Sequence, residues 1–295
     1  MAIIPAFFMS AVVALGIKSI DEKKYWIGTG FIVGRKEKDN PNLSTHYIIT
    51  NKHVIKDQKC IYVRFNALQD SFVKDYSIDL LNEDGTPRFT YHPNEGTDII
   101  AIQIVPQTLI NDRSIWGSFD LEDHALTLNQ MQNTGVEEGS LIYALGFPMN
   151  LVGEIKTPVC RLGCISRVSD AFLLSNSAPV FLVDAQTFPG NSGGPIIYRP
   201  ESTSIAGTPT NINANLIGIL SSYIPYEDTL ISQQTKRPVM IHQENSGLTI
   251  VHPVDRIKEV VELEWQRMEN NKNNGIKQLD SSQTPTEEIE KEVAV

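Results

Sequence analysis

Acyl transfer by a serine needs four groups in one place. A hydroxyl attacks, an imidazole takes its proton, a carboxylate holds the imidazole's tautomer, and backbone N–H groups meet the oxyanion. The 295-residue chain offers a candidate for each. Ser192 is the candidate nucleophile, in Gly190-Asn191-Ser192-Gly193-Gly194-Pro195, on a turn that leads into the apolar run Pro195-Ile196-Ile197-Tyr198. Gly190 and Gly193 open backbone conformations closed to other residues, and the amides of Gly190 and Ser192 can converge on one point as an anion nest. Taken alone, the hexapeptide also reads as a plain glycine-rich hairpin. His53 is the candidate base, because it directly follows the apolar strand Tyr47-Ile48-Ile49-Thr50, whose end can hold a side chain rigidly. The other histidines are His46, His92, His124, His242 and His252, and His252, late in a strand beside Pro253, is the second choice. Asp98 is the candidate carboxylate, heading the wholly apolar Ile99-Ile100-Ala101-Ile102 at the start of the run to Val105. An acid at the edge of a core is partly desolvated and needs a donor, which an imidazole N–H supplies. Asp57 lies too near His53 in sequence to be favoured, and Asp184 reads as structural.

The elements that must position these residues are short strands. Ala11 to Ile17 reads as a buried first strand, ending at a turn around Asp21 to Lys24, and Trp26 to Val33 as a second. Tyr47 to Thr50 is followed by a helical turn at Asn51 to Ile55, and Ile61 to Phe65 alternates as a half-buried strand does. After the polar stretch 129–138, a second set follows: Leu141 to Leu145, Cys164 to Val168, Val180 to Val183, Pro195 to Tyr198, Leu216 to Ser221 and Leu248 to Val251. Many short strands punctuated by Gly, Pro, Asn and Asp, without amphipathic helices between them, predict an all-β barrel or sandwich architecture. One helix is expected, after Pro253, with Val254, Ile257, Val260, Val261 and Trp265 on its apolar face. The polar run beyond it, 269–295, is too hydrophilic to bury a core and is expected to be a flexible tail.

Thr50-Asn51-Lys52-His53-Val54, Thr97-Asp98-Ile99-Ile100-Ala101 and Gly190-Asn191-Ser192-Gly193-Gly194-Pro195 resemble the three active-site blocks of the trypsin-like serine peptidases, in that family's His, Asp, Ser order. Gly28-Thr29-Gly30-Phe31-Ile32-Val33, Ala144-Leu145-Gly146-Phe147-Pro148 and Gly163-Cys164-Ile165-Ser166 resemble further strands of the family, closer to its bacterial, HtrA-like members than to the digestive ones. The resemblance covers roughly residues 10 to 262. It implies two antiparallel six-stranded Greek-key barrels, 1–125 carrying His53 and Asp98 and 126–252 carrying Ser192, with a C-terminal helix over 253–268. It also implies a serine endopeptidase working through an acyl-enzyme, or alternatively a catalytically silent or partner-gated peptide-binding module on the same fold. By the family's layout the substrate pocket is lined by Gln186, Thr187, Pro189, Ser221, Ser222, Tyr223 and Thr249, none of them acidic or basic, which implies a small or medium neutral side chain before the scissile bond. Many secreted members carry Asp before the serine to pair with a newly cut N-terminus. Asn191 stands there in this chain, so activity is expected without N-terminal processing. Little chain remains after the helix for a PDZ module. The polar segments 199–215 and 226–245 are expected to be loops beside the pocket.

The formal net charge of −10 argues against a general nucleic-acid binder or docking on anionic lipid. Cys60, Cys160 and Cys164 are too few and too odd in number for a disulfide framework, and two ligands without a second pair are weak evidence for zinc. They read as reduced, mostly buried thiols, and neither metal nor cofactor is expected. The apolar residues 1–16 lack a basic start and are shorter than a membrane span, so a cytoplasmic location is expected. Expected partners are a protein or peptide substrate and a regulator acting through the tail or loops.

Overall fold

The computed structural model describes residues 4–68, 73–173, 179–200 and 211–281, with side chains as far as residue 272. The fold is all-β with a C-terminal helix. Nine strands form the first sheet: β1 (Val12–Lys18), β2 (Lys24–Lys36), β3 (Ser44–Thr50), β4 (Cys60–Ala67), β5 (Val73–Asp79), β6 (Thr90–Tyr91), β7 (Ile100–Ile104), β8 (Ser114–Ile115) and β9 (Phe119–Asp120). They run in the order β5-β4-β1-β2-β3-β7-β6, with β8 on β4 and β9 parallel to β2. The expected six-stranded ring is thus drawn as a longer sheet whose end strands share no ladder. A single antiparallel bridge between Leu81 and Pro87, beside the bond from the Arg88 amide to the Leu80 carbonyl (2.8 Å), joins the chain after β5 to the chain before β6.

The second half closes fully. β10 (Leu141–Gly146), β11 (Val159–Arg167), β12 (Phe181–Asp184), β13 (Pro195–Tyr198), β14 (Asn215–Ile231) and β15 (Pro238–Pro253) form a barrel in the order β10-β11-β12-β15-β14-β13. Strands β14 and β15 run far beyond the barrel as a ribbon paired from Pro225 with Asn245 to Ile231 with Pro238. The expected loop over 226–245 is therefore a hairpin instead. Residues 201–210 of the other expected loop lie outside the described residues.

The continuous apolar runs follow from strands buried on both faces. Successive side chains alternate across a strand. Val12, Ala14, Phe31, Val33, Tyr47 and Ile49 enter one core, while Val13, Leu15, Ile32 and Ile48 enter another inside the first sheet. The first of these cores is shared with Leu145, Phe147, Ile197 and Ile219 of the second barrel and with Val254, Ile257, Val260 and Val261 of the helix. One apolar body thus clamps both halves and the helix, and burying each such side chain contributes about 1.5–3 kcal/mol.

The helix starts at Val254, directly after Pro253, and presents the expected face. It runs on to Ser281, so the first part of the expected tail, 269–281, is helical. Once packing has supplied the nucleus, each added residue closes a further hydrogen bond, and polar sequence can follow. The rest of that tail, 282–295, lies outside the described residues. The cysteines are free, but Cys160 is exposed and Cys60 and Cys164 are only half-buried: Cys160 and Cys164 lie on the face of β11 turned away from the barrel core, and Cys60 opens β4. Among the described residues no helix is long and apolar enough to cross a membrane.

Candidate functional site

The end of β3 places the first group. Thr50 ends the strand and a 3-10 turn over Lys52–Ile55 lifts His53 to the surface, where its side chain is 47% exposed. Asp98 lies just ahead of β7, the neighbour of β3, which brings the two side chains together across 45 residues of sequence. His53 Nδ1 is hydrogen-bonded to Asp98 Oδ2, and the His53 main-chain N–H donates to Asp98 Oδ1 at 3.1 Å. The Ser221 hydroxyl donates to the same Oδ2 at 3.3 Å. Burial alone would raise the Asp98 carboxyl, but the hydrogen bonds and charge of His53 hold it below the usual carboxylate range.

Asp98 is also fixed through its backbone. The Asn51 side-chain amide donates to its carbonyl at 2.7 Å, and its own N–H donates to His252 Nε2 at 3.3 Å. His252, the second-choice base, is only 3% exposed. It sits behind the acid and cannot meet a substrate.

Ser192 comes from the turn before β13. That turn is held by Thr29 of β2, whose hydroxyl donates to the Gly190 carbonyl (2.6 Å) and whose N–H donates to the Ser192 carbonyl (3.0 Å). The Phe147 N–H returns a bond to the Thr29 hydroxyl at 3.0 Å, and the Thr50 hydroxyl donates to the Thr29 carbonyl at 2.7 Å. Thr50, beside the His53 turn, and the Ser192 turn are therefore joined through one threonine. Gly190 and Gly193 have φ of 98° and 85°. A Cβ would overlap the Phe147 carbonyl at the first and the Thr29 carbonyl at the second, so only glycine fits.

The amides of Gly190 and Ser192 donate to no acceptor among the described residues, whereas those of Asn191, Gly193 and Gly194 are taken by the carbonyls of Phe188, Leu220 and Asn191. The Ser192 hydroxyl makes no hydrogen bond to His53 among the described residues. Such contacts are often long before substrate arrives. The turn is buttressed by the Met149 N–H, 2.7 Å from the Pro189 carbonyl. To reach it, Met149 and Asn150 adopt left-handed φ of 52° and 60°, a strained pair of non-glycine residues.

The remaining expected residues divide. Thr187 and Thr249 are buried, their hydroxyls bonded to each other at 2.7 Å, and Asn245 donates to the Thr187 carbonyl at 2.6 Å. Gln186, Pro189, Ser222 and Tyr223 are exposed. Ser221 binds the acid. Its contact, like those of Thr29 and His252, has no local sequence signal, because each depends on which strand ends meet in space.

A nearly continuous β-fold, with a histidine–carboxylate pair at one strand end and a glycine-framed serine on a turn that leaves the Gly190 and Ser192 amides without an acceptor among the described residues, defines a trypsin-like architecture. A family model described as trypsin-like peptidase domain matches residues 28–202, and the chain belongs to that family. Solved structures similar to it include Rv3671c from M. tuberculosis H37Rv in an inactive form, as a serine-to-alanine mutant, at 12% identity, covering 88% of each chain with a TM-score of 0.44. Another is the Rv3671c protease in its inactive form, at 13% identity, covering 86% of this chain and 89% of that one with a TM-score of 0.43. No curated protein matches the chain.

Proposed function

We propose that this peptidase is a serine endopeptidase with His53, Asp98 and Ser192 as its triad. The reading is carried by His53, whose Nδ1 is engaged by a carboxylate that is itself held by Ser221 and by the His53 amide. With Nδ1–H donated to Asp98, Nε2 has a lone pair to accept the Ser192 proton. The Ser192 oxygen attacks the peptide carbonyl, and its proton moves to Nε2. The carbonyl oxygen gains the negative charge and is met by the Gly190 and Ser192 amides. On collapse, the C–N bond breaks, the imidazolium returns its proton to the leaving amine, and an acyl-serine remains. Water then repeats the sequence and frees the acid.

A small or medium neutral side chain suits the pocket, since Thr187 and Thr249 use their hydroxyls on each other and on the Ala185 carbonyl. Cleavage of a peptide library after Arg or Glu would reject this preference. The test of the function itself is labelling by a fluorophosphonate probe. Wild type is expected to label and Ser192→Ala is not; silence in both proteins would sink the reading.

The same reading holds that no cut at the N-terminus is needed. Asn191 is fully buried and neutral, its Oδ1 already accepting the Phe188 N–H at 3.0 Å. Val12 to Leu15 are fully buried in β1, which pairs with both β2 and β4. Full-length protein is expected to be active, and protein trimmed before residue 16 to lose its cooperative melt, read by circular dichroism. Activity gained on trimming would contradict this.

A further inference from the structure

We propose that His252 is a positioning residue for the triad acid: its buried imidazole accepts the Asp98 main-chain N–H and thereby sets the angle at which the carboxylate meets His53. The proposal rests on the peptidase reading above. Residues 97 and 98 lie beyond the last ladder pairs of β7, which are Thr50 with Ile100 and Tyr91 with Ile100. The polar groups of the Asp98 peptide must therefore be met by side chains. Asn51 takes its carbonyl from the first half of the molecule, and His252 takes its N–H from the second. Asn51 is fully buried and His252 nearly so, so neither bond is shared with bulk water. His252 pairs with Ile219 near the end of β15 and is separated from the C-terminal helix by Pro253 alone. Its ring is thereby held by the same core that joins the two halves.

Packing alone does not explain an imidazole here. Because Nε2 accepts, the ring proton lies on Nδ1, which is buried without a partner. An apolar side chain of similar size would leave no such orphan. The groups facing the ring are Asp98 ahead of β7, His92 after β6 and Arg256 on the helix, with Glu259 bonded to both His92 and Arg256. Burial, reinforced by His92 and Arg256 and opposed by Asp98, holds His252 down at about 4, so the acceptor persists across the neutral range.

The test compares His252→Gln, whose amide oxygen can replace Nε2 as acceptor, with His252→Phe, which fills the space without one; His252→Leu serves if the Phe variant does not fold. For the apolar variant kcat is expected to fall about 30-fold or more at unchanged KM, as small misplacements of catalytic groups do. The Gln variant is expected to stay within about threefold of wild type. The second readout needs no turnover: the downfield proton resonance of the His53–Asp98 hydrogen bond should persist in wild type and His252→Gln and be shifted or lost in the apolar variant. Retention of the resonance and of kcat in the apolar variant would overturn the proposal. So would equal losses in both variants, which would assign the effect to ring shape. If wild type turned over no peptide, the peptidase reading would fail while the resonance still decided the role of His252.

Discussion

Replacing Asp98 by Asn is expected to cut kcat by about 10⁴-fold while leaving the fold and KM largely intact. The hydrogen bonds around the side chain explain why so small a change is so costly. Oδ1 accepts the His53 main-chain N–H, and an asparagine keeps its oxygen there. That choice puts its NH₂ where Oδ2 stood, facing His53 Nδ1 and the Ser221 hydroxyl. An NH₂ donates, so Nδ1 becomes the acceptor and the ring proton moves to Nε2. The nitrogen that must take the Ser192 proton is then already protonated. The opposite flip keeps Nδ1–H but sets an NH₂ against the His53 main-chain N–H, two donors face to face. Neither arrangement supplies both a held ring and a free Nε2. Steady-state kinetics on a peptide substrate, with a thermal melt of each protein, checks this. Turnover within tenfold of wild type would remove Asp98 from the mechanism.

The three residues assigned to that proposed mechanism stand out in the sequence because each has a local device: a strand end for His53, the head of an apolar run for Asp98, a glycine frame for Ser192. What joins them does not. Thr29 sits between two glycines in a strand, and nothing in Gly28-Thr29-Gly30 announces that its hydroxyl, N–H and carbonyl bind three separate segments. The reading of His252 as a spare base came from the right strand but lacked the register that turns its ring toward the back of Asp98.

Among the elements, the long apolar runs were found. β5, with pattern Val-Lys-Asp-Tyr-Ser-Ile-Asp, does not stand out in the sequence, because an edge strand partly open to solvent carries no continuous apolar signal. The two-residue strands β6, β8 and β9 are too short for any period to show. The β14–β15 ribbon carries no strand signal in the sequence because its two faces mix Tyr226, Leu230, Met240 and Ile241 with Glu227, Asp228 and Glu244. No burial pattern sorts such a ribbon. Only the cross-strand ladder defines it.

Raising the pH from 7.5 to 9.5 is expected to stabilise the wild-type protein by about 2–3 kcal/mol relative to Lys156→Met, a difference that follows from one buried ammonium. Lys156 is only 2% exposed, and its Nζ donates to the carbonyls of Val12 at 2.7 Å and Ser10 at 3.2 Å. No carboxylate forms an ion pair with it among the described residues. Burial pushes its ammonium down from 10.5 to about 7. Above 10.5 the lysine is neutral in both folded and unfolded chains, and the folded state carries no penalty. Between those values the unfolded chain binds a proton that the folded chain does not, so stability falls as pH falls through this window, by at most about 1.4 kcal/mol per pH unit. Below the folded value both states are protonated and the loss is complete. Urea denaturation of both proteins at several pH values reads the slope. Parallel curves would show that the lysine stays charged in its carbonyl cage. The residue is more than a thermodynamic curiosity, because its own peptide is clasped by Asn66, which donates to the Lys156 carbonyl and accepts its N–H, each at 2.7 Å. The segment from Met149 to Lys156 thus leaves the Pro189 carbonyl, beside the Ser192 turn, and ends anchored in β4 and the start of β1. A lysine buried at that anchor, bonded to the Val12 and Ser10 carbonyls, couples the strand that opens the fold to the backbone that presents the serine.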